Sequence, residues 1–145
     1  MSTTRCAIAT SLAILATPAL SVDEPLRGGA YEIAYSLELP HVQPMPGGSA
    51  KVCLTDAGGV SAFPVLSANN PLARCPVTKL RRDGREVSFE IACPGPNAAK
   101  AYALFDLRDG AFDGRIAMNM GGKNMTMTEV QHGARIGDCE TTPTQ

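Results

Sequence analysis

The chain has 145 residues, 44% of them apolar, with 13 Lys and Arg against 14 Asp and Glu and a formal charge of −1. That balance excludes the basic excess by which nucleic-acid binders hold phosphate, so no nucleic-acid partner is expected. The length suits a single domain around one core.

The first residues, MSTTRCAIATSLAILATPALSVDEP, carry one cation at Arg5, an apolar run from Cys6 to Ala16, and small residues at Ala19 and Ser21. The pattern predicts a cleavable secretory signal over residues 1–21, because an apolar run of about 11 to 15 residues falls short of the roughly 20 that a membrane span needs. Cleavage after Ser21 fits the small-x-small rule, and cleavage after Ala19 competes with it. Residues 22–139 then form a single β-rich domain, and residues 140–145 are expected to be a flexible tail. No other stretch is apolar enough to cross a bilayer, so no transmembrane segment is expected in the mature chain.

Cys6 leaves with the signal, and Cys53, Cys75, Cys93 and Cys139 remain. An even count in an exported chain reads as two disulfides, with three pairings open. Zinc would ask for close pairs such as Cys-x-x-Cys, which are absent here.

In chain order, YEIAYSLEL alternates, with Tyr31, Ile33, Tyr35, Leu37 and Leu39 on one side and Glu32, Ala34, Ser36 and Glu38 on the other. This is the pattern of a half-buried strand. PHVQPMPGG reads as a loop punctuated by proline and glycine, and SAKVCLT as a second short strand. From Asp56 to Arg74 the alternation fades, leaving room for one short helix near 56–70 that Pro64 would interrupt.

CPVTKLRRDGREVSFEIAC predicts a hairpin turning at Asp83-Gly84, which sets Leu80 opposite Val87 and Thr78 opposite Phe89. The same register puts Cys75 opposite Ala92, one position from Cys93. A single bulge or a one-residue change in the turn brings the two cysteines together, so Cys75–Cys93 is the expected bridge. Cys53–Cys139 follows by exclusion.

AKAYALFDL and FDGRIAMNM flank a turn at RDGA, and MTMTEVQHGARI follows GGKN. The whole predicts about seven strands: a mainly β fold, a single antiparallel meander curling into a sandwich or partly closed barrel, with two disulfides.

Across a turn at Gly121–Asn124, Met120 faces Met125 and Met118 faces Met127, which puts four thioethers on one face of a hairpin. The leading reading is core, where methionine fills irregular space. The alternatives are an adaptable wall for an apolar ligand, or a site for Cu(I) or Ag(I) completed by Met45, His41 or His132.

Other chemistry is weakly signalled. There are two histidines, and no His-Glu-x-x-His, Gly-x-Ser-x-Gly or phosphate-binding glycine loop, so no enzyme and no cofactor are expected. Asp106, Asp109 and Asp113 lack the spacing of a calcium loop. Lys79, Arg81, Arg82 and Arg85 cluster at a hairpin tip, where they discourage edge pairing or, alternatively, meet anionic envelope polymers or lipid head groups.

GGAYEIAYSLEL, VCLTDAG, two spaced cysteines, and DGAFDGRIAMNMGGKNMTMT running into ARIGDC together resemble the domain-of-unknown-function 3617 family of exported bacterial proteins. The resemblance runs from about Gly28 to Cys139, with Arg135, Gly137, Asp138 and Cys139 as a closing motif. Gly29-Ala30-Tyr31-Glu32 stands where the family opens with Gly-Leu-Trp-Glu, a tyrosine replacing the tryptophan. The resemblance implies a periplasmic, largely β protein and brings no catalytic or binding residues. The expected function is non-enzymatic binding or a structural role in the envelope, with an envelope protein or an apolar small molecule as partner.

Overall fold

The computed structural model describes residues 26–54 and 63–140. The expected signal over 1–21 and the tail beyond Glu140 lie outside them, as do residues 56–62 of the 56–70 segment.

Among the described residues seven strands form: β1 (Gly29–Glu38), β2 (Met45–Leu54), β3 (Val77–Asp83), β4 (Glu86–Ala92), β5 (Lys100–Arg108), β6 (Ala111–Asn119) and β7 (Thr126–Gly137). Strict alternation makes β5 the plainest case. Ala101, Ala103, Phe105 and Leu107 are buried, and Lys100, Tyr102, Leu104, Asp106 and Arg108 point to solvent. β4 and β6 obey the same rule through Val87, Phe89 and Ile91, and through Phe112, Ile116 and Met118.

All pairings are antiparallel, and the strand order is β2-β1-β7-β6-β5-β4-β3. Strands β3 to β7 make the expected meander, and the β1–β2 hairpin docks on β7. The sheet stays open, with β2 and β3 as its edges. The connection from β2 to β3 must therefore cross the whole sheet, roughly 29 Å at about 4.8 Å per strand spacing. Its described part, residues 63–76, is a strap over the inner face, burying Phe63, Val65 and Leu72 in the common core. Its helical turn is a 3-10 segment, Pro71–Arg74, capped by the Asn70 side chain, which accepts from Leu72 N–H at 3.0 Å.

Rings and glycines interlock beneath the strap. Phe105 sits opposite Gly114 and Phe112 opposite Gly133. A Cβ on either glycine would fall inside the facing ring, so each phenylalanine lies flat over a cross-strand glycine. Phe63 then stacks on Phe105 with centroids 4.2 Å apart and meets Phe112 edge-on at 5.1 Å.

A buried polar latch holds the strap. Glu129 and Gln131 are fully buried on the inner face of β7. The Glu129 carboxylate accepts from the backbone N–H groups of Leu66 and Ser67, each at 2.9 Å, and from Gln131 Nε2 at 2.6 Å. Gln131 Nε2 also donates to Pro64 O at 2.7 Å. Paired hydrogen bonds of this kind are what makes a buried carboxylate tolerable.

Two local readings are corrected. β2 starts at Met45 and not at Ser49, so Met45 to Gly48 belong to a strand. Pro46 is tolerated because β2 is an edge, and a register shift between Tyr35 and Ser36 absorbs the irregularity. The β3–β4 loop is Gly84-Arg85, closing on the pair Asp83–Glu86, so Arg82 and not Leu80 faces Val87. Gly84 has φ 56°, and a two-residue hairpin loop with positive φ at its first position needs glycine there. A bulge between Thr78 and Arg81 then shifts the register by one, pairing Thr78 with Glu90 and Val77 with Ile91.

That shift carries Cys75 to Cys93, and the two are bonded with Cα atoms 4.8 Å apart. Cys53 is bonded to Cys139 at a Cα separation of 5.5 Å, fastening edge strand β2 to the chain beyond β7.

Candidate functional site

The methionines divide between environments. Met118 and Met127 are cross-strand partners. Met118 is buried, and its sulfur accepts from Asn70 Nδ2 at 3.1 Å. Met120 and Met127 pack half-buried against the core, whereas Met125 is 39% exposed. Around the turn, Met120 N–H donates to Met125 O at 2.8 Å. The residues expected to complete a soft-metal site are not brought to this face: His132 lies on the outer face beside Asp113, and Met45 and His41 are exposed at and before β2.

The other charged candidates form ion pairs across the outer face. Lys79 binds Glu90 and Arg85 binds Asp106, while Asp113 is shared by Arg108 and His132. Arg81 and Arg82 are exposed on edge strand β3. Among the described residues no group of three His, Cys, Asp or Glu side chains is placed to hold a metal.

The opening and closing motifs meet at one corner. Arg135 Nε donates to Gly28 O at 3.0 Å, its guanidinium also binds Asp138, and next to Asp138 Cys139 is bonded to Cys53. Gly29, at φ 149°, lies under the Arg135 side chain, where a Cβ would collide. These residues clasp the two ends of the domain, which is a structural task.

A concavity remains on the outer face. Antiparallel register lines side chains up in rows across the strands. One row is Glu90, Tyr102, Ala117, Thr128 and Glu38, and the next is Ala92, Lys100, Asn119 and Thr126. Leu39 and Pro40, just beyond β1, wall one side, and the whole is a groove of about 700 Å³ open to solvent. Tyr102, at 51% exposure, and Ala117 give it an apolar floor. Its two carboxylates are neutralised: Glu90 by Lys79 at 2.9 Å and Glu38 by Arg115. Sequence reading missed this site because it consists of outward residues from four strands and the end of a fifth, each unremarkable in its own segment. The one signal was the exposed aromatic Tyr102 amid the wet positions of β5.

No helix among the described residues is long and apolar enough to cross a membrane. No curated protein and no solved structure matches the chain. The family model described as protein of unknown function, DUF3617, matches residues 25–139, nearly the whole described structure, and the chain belongs to that family.

Proposed function

We propose that this protein is a non-catalytic binding domain of the cell envelope that holds a small ligand with an apolar body in the outer-face groove. One observation carries the reading. The strap covers the inner face, while the outer face keeps an aromatic-floored groove of about 700 Å³, within the usual size of small-molecule sites. Two disulfides and the leader pattern support an exported, periplasmic setting, where such bonds persist.

The test is titration of the mature chain with the neutral fluorescent probe N-phenyl-1-naphthylamine. Saturable one-to-one binding is expected, lost at least tenfold in Ala117→Trp, which fills the groove floor from an exposed position. The variant should unfold within about 2 °C of the parent, as surface changes usually do. A wild-type chain without saturable binding would leave a purely structural envelope component as the answer.

A further inference from the structure

The groove does not end at its apolar floor. At the row Ala92–Lys100–Asn119 it adjoins a second, polar recess of about 470 Å³, formed where the loop after β4 meets the turn between β6 and β7. The two loops are joined by Gly122 N–H donating to Asn97 O at 3.0 Å. Lys100 and Asn119 line both cavities and are direct cross-strand partners. Such partners have Cβ atoms about 4.5–5.5 Å apart, close enough to contact one group together.

Both side chains offer donors. Lys100 has no ionic partner among the described residues, although Glu90 and Glu38 also line the groove, because those carboxylates are engaged by Lys79 and Arg115. Asn119 Oδ1 accepts from Gly121 N–H at 2.9 Å, which fixes the amide and leaves its NH₂ end as a donor. The local chemistry is therefore a cation with a fixed amide donor at one end of an apolar trough.

Building on the groove as a ligand site, we infer that its ligand is a free single-chain amphiphile with an anionic head, a carboxylate such as a fatty acid. The chain lies over Tyr102 and Ala117, and the head is bound by Lys100 and Asn119. An ammonium beside an amide donor favours a carboxylate through charge-assisted hydrogen bonding and offers a cationic head nothing.

The experiment displaces the same neutral probe with three ten-carbon amphiphiles below their aggregation limits: decanoate, 1-decanol and decyltrimethylammonium. Decanoate is expected to compete at least tenfold better than either other compound. Lys100→Gln should bring it to the level of decanol, and Lys100→Glu should invert the order in favour of the cation. Asn119→Asp keeps the acceptor for Gly121 N–H and removes the NH₂ donor, so it should weaken decanoate at least fivefold while leaving decanol unchanged. Equal competition by decanoate and decanol would overturn the anionic head and leave the groove standing. Failure of the probe and of all three compounds would overturn the groove itself. Binding to vesicles containing phosphatidylglycerol without binding to monomeric decanoate would replace the free amphiphile by a membrane surface and overturn the inference.

Discussion

Glu129 shows what single residues decide here. Period two from Met127 puts Glu129, Gln131 and Gly133 on the core face, so its inward direction was readable from parity alone. What parity could not supply is the reason a carboxylate is stable there, because the strap groups that bind it stand 62 and 63 residues away in sequence. Replacing Glu129 by Gln keeps the shape and turns one acceptor oxygen into an NH₂ facing N–H donors. The cost should be about 3 kcal/mol, the scale of a buried donor left unmet next to a lost charge-assisted bond. Urea unfolding of both proteins measures it, and a loss below about 1 kcal/mol would mean that the latch does not hold the strap. Met118 belongs to the same network, since Asn70 Nδ2 donates both to its sulfur and to Ser67 Oγ. The sequence pairing of Met118 with Met127 and of Met120 with Met125 was legible, but the burial difference between Met118 and Met125 was not, because it depends on where the strap runs.

Among the elements, β4, β5 and β6 were readable because a solvated face and a core face impose strict alternation. β2 was half hidden, since Pro46, Gly47 and Gly48 read as loop to any local rule and become strand only because β1 supplies the partner. Its glycines also have a reason: the Tyr35 ring occupies the space a Cβ at Gly47 would need. The same device operates at Gly114 of β6, where a Cβ would meet the Phe105 ring. Gly114→Ala should cost about 1–3 kcal/mol by overpacking against Phe105. In a double-mutant cycle Phe105→Leu should recover much of that loss, because leucine does not extend over the partner strand. Purely additive losses would show that ring and glycine are not coupled. The β3–β4 hairpin was legible in existence and missed in register, because Asp-Gly signals a turn without saying whether Gly comes first or second in it.

At the scale of the whole molecule, the strand count and class were legible and the strand order was not: nothing local in β1 says that its neighbour is β7. The order also explains why the groove stayed hidden, since its rows exist only once four strands and the end of β1 are side by side. The placement of β1 has a temporal meaning as well. Synthesis delivers β1 first and β7 last, so the opening strand waits with an unpaired edge until nearly the entire chain has appeared. Cys75 and Cys93, 18 residues apart, can bond long before that, whereas Cys53 and Cys139, 86 apart, need the final strand in place. In the chain-entropy model the shorter loop contributes about 3 kcal/mol and the longer about 4.6 kcal/mol. Refolding from the reduced state with acid-trapped thiols should therefore show a one-bridge species holding Cys75–Cys93, and a dominant early Cys53–Cys139 species would refute this order. A chain that stops short of its last strand can thus acquire the local bridge and still present raw edges on both sides of the gap, which only the closing strand covers.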